Sequence, residues 1–237
     1  MISVCIAAYN GEKYIAEQLK SILPQLNAED EVIISDDGSS DHTQEIVLQF
    51  AAEDLRIKWR NGPGNGVIAN YNFAISESRG DFIFLSDQDD VWLPNKVKET
   101  LAFFSAHPEK ELVVSDLIVV DETLKPILLS YFDYRKVKTG FLSNLWKSGY
   151  IGAGMCFRKS LKNIALPIPP TVPMHDMWLG LISDYHGKSA FLDKELTYYR
   201  RHEANASEIA TSSSGIQKLR WRIQLAWALI KRLLLKR

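Results

Sequence analysis

The sequence predicts an α/β fold with a mostly parallel, doubly wound sheet that has helices on both faces. Strand-like and helix-like segments alternate with short connections over about the first hundred residues. The strand-like segments are unbroken apolar runs, as expected of strands that are covered on both faces. The 237 residues, 46% of them apolar, are long enough to bury the core of one large domain.

Two strand–helix units open the chain. The first joins a strand over residues 3–8 to a helix over residues 12–26, in which apolar residues recur at helical spacing. The second joins a strand over residues 31–35 to a helix that Asp41 can cap. A loop of turn-forming residues, 61–66, then leads into a third helix.

The next strand-like run, residues 81–86, ends in a cluster of acids. Asp87 and Asp89 are two residues apart, so in extended backbone their side chains leave the same face, with Cα atoms roughly 7 Å apart. Mg²⁺ and Mn²⁺ are commonly held by one or two carboxylates together with substrate phosphates. The pair therefore predicts a metal–diphosphate site. The alternative is an acidic turn before a helix that begins at Pro94.

The second half of the chain is less regular. Residues 112–120 are strand-like, and a glycine-rich turn over 149–157 leads into another strand. Residues 176–186 have the apolar spacing of a helix, and residues 189–193 and 195–200 resemble a closing hairpin.

The polar residues that follow the predicted strands indicate one binding site. Tyr9 follows the first strand, Asp36 and Asp37 follow the second, and Asp87 with Asp89 follow the strand over residues 81–86. Ligands of doubly wound sheets bind beyond the carboxyl ends of the strands, so these segments are expected to meet there. The alternative, that loops are polar because they are wet, does not account for acids directly at strand ends.

The two cysteines, Cys5 and Cys156, lie in apolar strand-like runs and are expected to be buried, reduced thiols. No basic leader precedes the first strand, and no run of about 18 apolar residues predicts a membrane span. We therefore expect a cytoplasmic protein.

The C-terminal segment differs in charge from the rest of the chain. We predict a catalytic domain over residues 1–210 and a basic amphipathic helix over 211–237. Residues 216–237 hold seven basic residues and no acid, so with a whole-chain charge of −1 the remainder carries −8. One helical stripe of this segment is apolar and consists of Leu219, Ile223, Ala226, Trp227, Ile230 and Leu234.

Such a helix can lie in the interface of an anionic bilayer, which makes a membrane surface the predicted partner. Lys231 and Arg232 interrupt the apolar stretch, which argues against a spanning helix. The alternative is a helix that packs on the body of the protein or on a second subunit in a homodimer.

Five segments, VCIAAYNGEKYI, IISDDGSSD, RGDFIFLSDQDD, PMHDMW and YYRRHEANAS, occur in the order typical of one family. Over about residues 2–207 the chain resembles the inverting glycosyltransferases of family 2, which have the GT-A fold. The segments SDQDDVW and YRRHEANAS are most similar to those of bacterial rhamnosyltransferases. The processive motif Gln-x-x-Arg-Trp is missing, which implies one sugar per encounter.

The resemblance implies a transfer reaction in bacterial surface polysaccharide biosynthesis. One sugar would move, with inversion, from a nucleotide-diphosphate sugar to a saccharide or lipid-linked saccharide. The implied donor is dTDP-rhamnose, with a UDP-hexose as the alternative. The implied location is the inner face of the cell membrane. No nucleic-acid partner is expected.

The resemblance also implies roles for the residues at the strand ends. Ala7 and Tyr9 would line the nucleotide base, and Asp36, with Asp37 as second choice, would bind the base or ribose. Asp87 would approach the ribose or the metal. The implied metal is Mn²⁺ or Mg²⁺, with Asp89 and His202 as ligands. Asp90 is an extra acid that leaves the choice of ligands open.

His175 and Asp176 stand where the family has a Glu-Asp pair, which makes Asp176 the implied catalytic base. Its alternative role is to cap the following helix. Arg200, with Arg201 as the alternative, would contact phosphate, because a guanidinium matches phosphate oxygens. The remaining implied residues of the acceptor or sugar pocket are Trp92, Gly152, Gly154, His175 and Trp178, of which the two tryptophans are alternatively core residues.

Two other functions stay open at this point. One is a nucleotide-binding protein of the same fold that has lost catalysis and serves as an assembly partner. The other is a nucleotidyltransferase, which would need a glycine-rich, basic phosphate loop after the first strand. The sequence AAYNGEKY is a poor match to such a loop.

Overall fold

Strands and helices alternate along the first half of the chain in the computed structural model, as the sequence predicts. The structure describes residues 1–202 and 215–234, with only the backbone at positions 218 and 234. Within these residues the elements are β1 (Ile2–Ala8), α1 (Ile15–Ile22), β2 (Glu31–Asp36), α2 (Thr43–Glu53), β3 (Ile57–Asn61), α3 (Val67–Glu77), β4 (Phe82–Asp87), β5 (Val91–Trp92), α4 (Lys96–Ala106), β6 (Leu112–Val120), β7 (Pro126–Leu128), α5 (Tyr131–Arg135), α6 (Phe141–Trp146), β8 (Met155–Arg158), α7 (Lys159–Ala165), α8 (His175–Tyr185), β9 (Ser189–Arg200) and α9 (Gly215–Leu234).

All of these strands join one sheet, in the order β3-β2-β1-β4-β8-β6-β9-β5, with β7 paired to β6. Strands β1 to β4 pair only in parallel with one another. Strand β8 pairs antiparallel with both β4 and β6, and β9 is parallel to β6 but antiparallel to β5. The α/β fold is confirmed, with a sheet that is parallel in its first half and mixed in its second.

Strand register places the carboxyl ends of three strands side by side. Ala7 of β1 pairs with Asp87 of β4, and Ala8 pairs with Asp36 of β2. The segments that follow these strands therefore begin at the same edge of the sheet. This edge is where the candidate site lies.

Two apolar cores cover the two faces of the sheet. Successive side chains of a strand point to opposite faces, so Val4 and Ile6 belong to one core and Cys5 to the other. Helices α1, α2 and α4 cover the first core, and α3, α7, α8 and α9 cover the second. Cys5 and Cys156 lie in different cores as buried, free thiols, in agreement with the prediction. Burial raises the pKa of both thiols.

Three element predictions are corrected by the structure. Residues 189–200 form the single strand β9 rather than a hairpin, because the whole segment runs beside β6. Strand β3, which was not predicted, carries polar residues and pairs with β2 at one end of the sheet. The helix expected at Pro94 begins at Lys96, after Asn95 in a left-handed conformation with φ 73°.

Helix α9 packs on the body through one face. Leu225, Ala228 and Leu229 are buried in the core under α8 and α9. Arg222 donates to the carbonyl oxygen of Trp146 at 2.7 and 3.1 Å. The predicted boundary between residues 210 and 211 lies outside the described residues. Within the described ranges, no helix has both the length and the apolar character needed to cross a bilayer.

Candidate active site

One cavity of about 1600 Å³ opens at the carboxyl ends of β1, β2 and β4. Asp89 from the first half of the chain and Asp176 from the second half both line it. The predicted site residues that line this cavity are Ala7, Tyr9, Asp37, Asp87, Asp89, Gly152, His175, Asp176 and His202. The structure thus brings most of the predicted residues to one place, and their individual roles stay predictions.

The two acids after β2 have different surroundings. Asp36, the last residue of the strand, is buried and accepts hydrogen bonds from the backbone N–H groups of Gly38 and Ser39 at 3.1 and 2.9 Å. Asp37 lines the cavity and accepts from the backbone N–H groups of Gly64 and Gly66 at 2.8 and 2.6 Å. Asp37, the second choice in the sequence analysis, is therefore the acid of this pair that faces the cavity.

The loop that Asp37 holds leads directly into α3, whose Asn70 joins the ends of the first two strands. The Asn70 amide donates to the carbonyl oxygens of Ala8 and Ser35 at 3.2 and 2.8 Å. The sequence analysis did not find Asn70. A buried polar residue among apolar helix positions was the available signal.

Gln88 clamps the backbone of Tyr9. Its side-chain Oε1 accepts from the Tyr9 N–H at 2.8 Å, and its Nε2 donates to the Tyr9 carbonyl oxygen at 2.8 Å. The Tyr9 ring itself is 59% exposed and lies on the cavity wall. A Cβ at Gly11 would lie 2.3 Å from Gln88 Oε1, so only glycine leaves room for this clamp. Sequence analysis missed Gln88, although it lies between the two predicted acids.

Asp87 is held at the inner wall of the cavity by Tyr71. The Tyr71 hydroxyl donates to Asp87 Oδ1 at 2.6 Å and to the Ser86 carbonyl oxygen at 2.9 Å. Burial, reinforced by the nearby charge of Asp89, raises the pKa of Asp87 to about 6. A neighbouring cation would offset both effects, since an opposite charge favours the carboxylate form.

Asp89 and His202 meet although they are far apart in the sequence. His202 Nε2 lies 2.9 Å from Asp89 Oδ2, and both side chains are largely buried on the cavity wall. Carboxylate oxygen and imidazole nitrogen are suitable ligands for Mn²⁺, and carboxylates for Mg²⁺. Within residues 1–202 and 215–234, no group of three or more His, Cys, Asp and Glu residues converges as a complete metal cage. The pair fits a cation whose remaining ligands come from a substrate diphosphate.

Asp90 lies beneath this pair, outside the cavity lining. It is 1% exposed, and its Oδ1 accepts from the backbone N–H of Arg200 at 3.0 Å. Burial, together with the charges of Asp89 and Asp87, raises the pKa of Asp90 well above its usual range. Asp90 is therefore a buried residue that supports the turn, and Asp87 and Asp89 are the acids that face the cavity.

Arg200, which we expected at the donor phosphates, also lies beneath the acidic turn. Its guanidinium is buried, bonds to Glu17, and donates to the carbonyl oxygens of Asp89 and Glu122 at 2.8 and 2.7 Å. The Tyr14 ring covers it at 4.7 Å. With its donors engaged by protein atoms, Arg200 fixes the backbone of Asp89 and does not face the cavity.

Lys96 is a second buried cation under the site. Its Nζ donates to the carbonyl oxygen of Ala153 and to Thr197 Oγ1, both at 2.6 Å. Burial lowers the pKa of Lys96 to about 7, against the opposing charge of Asp90. It ties α4 to β9 and to the turn that carries Gly152.

Asp176 lies in the first turn of α8 and lines the same cavity as the acidic turn. The helix begins at His175 with Met174 as its N-cap residue, so Asp176 is not the cap. Its Oδ1 accepts from the Met177 N–H at 2.6 Å. Burial raises the pKa of Asp176 to about 7, opposed by backbone hydrogen bonds from Met177 and Gly152. A carboxyl group with a pKa near neutrality suits a general base.

His175 is buried beside Asp176. Its ring stacks on Tyr71 at 4.0 Å, and burial lowers its pKa to about 3. Neither ring nitrogen has a hydrogen-bond partner in the described part of the chain. A Cβ at Gly152 would lie 2.9 Å from His175 Nε2. Gly152 thus permits close contact with His175 while its N–H bonds to Asp176.

Three other predicted pocket residues lie outside the cavity lining. Trp92 is buried and packs on Phe84 at 5.4 Å. Trp178 is buried and donates from Nε1 to the Ala165 carbonyl oxygen at 2.8 Å. Both are core residues, in line with the alternative. A Cβ at Gly154 would lie 2.4 Å from the Ser115 carbonyl oxygen, so this glycine serves strand packing and not a sugar.

The outer rim of the cavity is aromatic and basic. It is lined by Tyr131, Trp146, Tyr150, Trp221 and Arg222 from α5, α6, α9 and the loop after α6. Aromatic faces and a guanidinium suit a saccharide that carries phosphate. The sequence analysis did not find these residues, because their meeting depends on how the helices dock.

Comparisons with known proteins agree with this geometry. Residues 3–165 match the family described as Glycosyl transferase family 2. An uncharacterised glycosyltransferase of Nostoc sp. is 27% identical over 92% of this chain and 70% of its own length. The Escherichia coli UDP-Glc:alpha-D-GlcNAc-diphosphoundecaprenol beta-1,3-glucosyltransferase WfgD is 30% identical over 55% of this chain and 53% of its own length.

Two solved structures share the fold. TarS from S. aureus, in complex with UDP-GlcNAc, superposes with a TM-score of 0.74 at 21% identity, over 98% of this chain and 67% of that one. The mannosyltransferase PcManGT from Pyrobaculum calidifontis, in complex with GDP-Man and Mn²⁺, gives 0.65 at 17% identity, over 98% and 62%.

The aligned part spans only about half the length of some curated relatives, 44% of the putative Bacillus subtilis glycosyltransferase EpsE and 53% of WfgD. The family match, by contrast, covers well over half of the present chain and contains β1 to β4, the acidic turn and the glycine-rich turn. On this match, the chain belongs to Glycosyl transferase family 2.

Proposed function

We propose that the protein transfers one sugar, with inversion, from a nucleotide-diphosphate sugar to a saccharide or lipid-linked saccharide in bacterial surface polysaccharide biosynthesis. The observation that carries this proposal is that Asp89 and Asp176 line the same cavity. Inverting transfer needs the leaving diphosphate and the acceptor hydroxyl on opposite faces of the anomeric carbon. We assign Asp89 to the diphosphate side and Asp176 to the acceptor side.

The donor binds with its nucleotide at the ends of β1 and β2. Tyr9 offers an exposed ring, and Asp37 stands beside the loop that it orders. The sugar then extends toward Gly152 and Asp176. Because Tyr9 is clamped by Gln88, the nucleotide end and the acidic turn are held at a fixed separation.

The acceptor loses its proton to Asp176 as the new bond forms. The acceptor oxygen attacks the anomeric carbon, the bond from that carbon to the diphosphate oxygen breaks, and its electron pair leaves with the nucleotide. Asp89 and His202, with Asp87 nearby, would hold a divalent cation, which when bound would supply positive charge for the leaving diphosphate. No covalent sugar–enzyme bond is needed in a single displacement.

Two donor classes follow from different observations. The wording of the SDQDDVW and YRRHEANAS motifs favours dTDP-rhamnose. The names of the relatives favour a UDP-hexose, because WfgD is a UDP-Glc transferase and TarS was solved with UDP-GlcNAc. WfgD also acts on a diphosphoundecaprenol-linked sugar, which supports a lipid-linked acceptor and a place of action on the inner face of the membrane.

The test is a panel of nucleotide sugars with the full chain. Binding is measured by calorimetry, and nucleotide release is measured with Mn²⁺, with Mg²⁺ and with EDTA. We expect one donor class to be bound and turned over, with loss of turnover in EDTA. Asp176→Asn should lower turnover by about 10²- to 10⁴-fold and leave donor affinity unchanged.

A matched control is Asp184→Asn, on the same helix but outside the cavity lining. This variant should keep its turnover. Donor binding without turnover in any condition would instead favour a nucleotide-binding assembly partner. Full turnover in Asp176→Asn would remove this residue from the mechanism.

A further inference from the structure

The outward face of α9 is apolar and exposed. Its large apolar residues are between 43% and 84% exposed, and they are Ile216, Leu219, Ile223, Trp227 and Ile230. We call these five residues the outward stripe. At 100° per residue they fall within about 80° of the helix circumference, which is one continuous face.

The opposite side of the same helix is already used. Leu225, Ala228 and Leu229 are buried against the body, and Arg232 donates to the carbonyl oxygens of Ile164 and Leu166 at 2.8 and 2.9 Å. The packing of α9 on the protein therefore does not cover the outward stripe. Both faces of the helix are apolar, and the body of the protein covers only the inward one.

The outward stripe is bordered by cations. Arg220 and Lys231 are exposed beside it, and Lys231 Nζ lies 5.2 Å above the Trp227 ring. The sequence from 216 to 237 contains seven basic residues and no acid. An apolar stripe with tryptophan and a basic border is the pattern of a helix that lies in the interface of an anionic bilayer.

Helix α9 also reaches the cavity, through its inward face. Trp221 and Arg222 of α9 line the cavity rim together with Trp146 of α6. Trp146 and Leu142 of α6 are 69% and 78% exposed, which adds apolar surface next to α9. A surface that bound at the outward stripe would therefore be separated from these cavity residues by the width of one helix, about 10 Å.

We propose that the outward stripe of α9 docks on an anionic lipid bilayer and holds the cavity rim at the lipid surface. A second copy of the chain is a poorer occupant, because a two-fold dimer would bring two identical basic faces together. The docking itself is independent of the transfer reaction. Only its use in presenting a lipid-linked acceptor rests on the proposed function.

The test compares binding of the full chain to vesicles of phosphatidylcholine alone and of phosphatidylcholine with phosphatidylglycerol. We expect sedimentation with the anionic vesicles and little with the neutral ones. Ile223→Gln/Trp227→Gln should weaken anionic binding by about tenfold or more. Arg220→Gln/Lys231→Gln should weaken it similarly, and added salt should reduce binding of the unmodified chain.

The matched control is Leu48→Gln/Leu55→Gln, which removes exposed leucines from α2 and the turn after it, on the other face of the sheet. Its vesicle binding should be unchanged. All variants should keep their melting temperature and their nucleotide-sugar hydrolysis, because none of these residues lies in the cavity.

Three results would overturn the inference. The first is an unmodified chain that does not sediment with anionic vesicles. The second is that Ile223→Gln/Trp227→Gln binds anionic vesicles as well as the unmodified chain does, or that Leu48→Gln/Leu55→Gln loses as much vesicle binding as Ile223→Gln/Trp227→Gln. The third is a dimer, seen by light scattering, that Ile223→Gln/Trp227→Gln dissociates, since the stripe would then join two copies. A failure of hydrolysis with intact vesicle binding would count against the proposed function alone.

Discussion

Replacing Asp176 by asparagine should make the protein less active and, above neutral pH, more stable. The side chain is half-buried in the cavity wall, and desolvation there raises its pKa from 3.8 to about 7. Asparagine has nearly the same shape and keeps an oxygen that can accept from the Met177 N–H. The substitution therefore removes the charge with little change in packing.

The size of the stability effect follows from the pKa of Asp176. Between pH 4 and pH 7 the folded state keeps a proton that the unfolded state has lost, so the stability of the unmodified protein falls as pH rises. A shift of about three pKa units corresponds to about 4 kcal/mol, which is the upper limit of the gain in Asp176→Asn at pH 8. At pH 3.5 and below, both states are mostly protonated and the gain should vanish.

The assay is the melting temperature of the variant and the unmodified protein at several pH values. For a chain of this size, about 1 kcal/mol corresponds to about 2–4 °C. We expect the melting temperature of Asp176→Asn at pH 8 to be at least about 2–4 °C above that of the unmodified protein. Asp184→Asn serves as the control for removal of a charge elsewhere on α8 and should show no such pH-dependent gain.

The same pKa predicts the pH dependence of catalysis. The base must be ionised, so log kcat/KM should fall with unit slope as pH drops below about 7. The reasoning is refuted if the two proteins melt together at pH 8, or if the rate stays level down to pH 5. Either outcome would mean that the Asp176 carboxyl is not in the environment described here.

Three further predictions concern the donor half and the glycine-rich turn. Asp89→Ala and His202→Ala should each abolish stimulation by Mn²⁺, because the two side chains meet at 2.9 Å and would share one cation. A titration of Mn²⁺ at fixed donor concentration checks this. Undiminished stimulation would show that the cation binds elsewhere. Asp37→Ala should raise the KM for the donor about tenfold with little change in kcat, because it removes the carboxylate that holds the loop through the N–H groups of Gly64 and Gly66. Steady-state kinetics against donor concentration measure this, and an unchanged KM would contradict the prediction. Gly152→Ala should lower kcat at least about tenfold, because its Cβ would lie 2.9 Å from His175 Nε2 and displace His175, the neighbour of Asp176. Gly215→Ala, in open surroundings, is the control. A normal kcat in Gly152→Ala would show that the site tolerates the displacement of His175.

The convergence of the site could be predicted because parallel strands end at one edge. Tyr9, Asp87 and the acids at the end of β2 follow from strand position alone, and the register of β1 with β2 and β4 bears this out. Which of Asp36 and Asp37 faces the cavity could not be predicted in this way. The answer depends on β2 continuing through Asp36, and strand ends are the least determined feature of a local pattern.

The burial of Arg200 and Lys96 could not be predicted from local sequence patterns. Arg200 and Lys96 are polar residues that a sequence places at the surface, yet both are buried under the acidic turn. Their burial comes from β9 lying beside β5 and β6, which joins segments about a hundred residues apart. The aromatic rim around Trp146 and Trp221 was missed for the same reason, since α6 and α9 meet only in the folded chain.

The two hydrogen bonds between Gln88 and the Tyr9 backbone have a consequence for how donor preference can change. They make the Tyr9 segment and the acidic turn parts of a single stiff unit, so a shift on one side is transmitted to the other. Under the proposed function, nucleotide choice and support of the departing diphosphate could not be altered separately at this junction. A new donor preference would then be acquired more readily on the Gly152 side of the cavity, where we propose that the sugar binds.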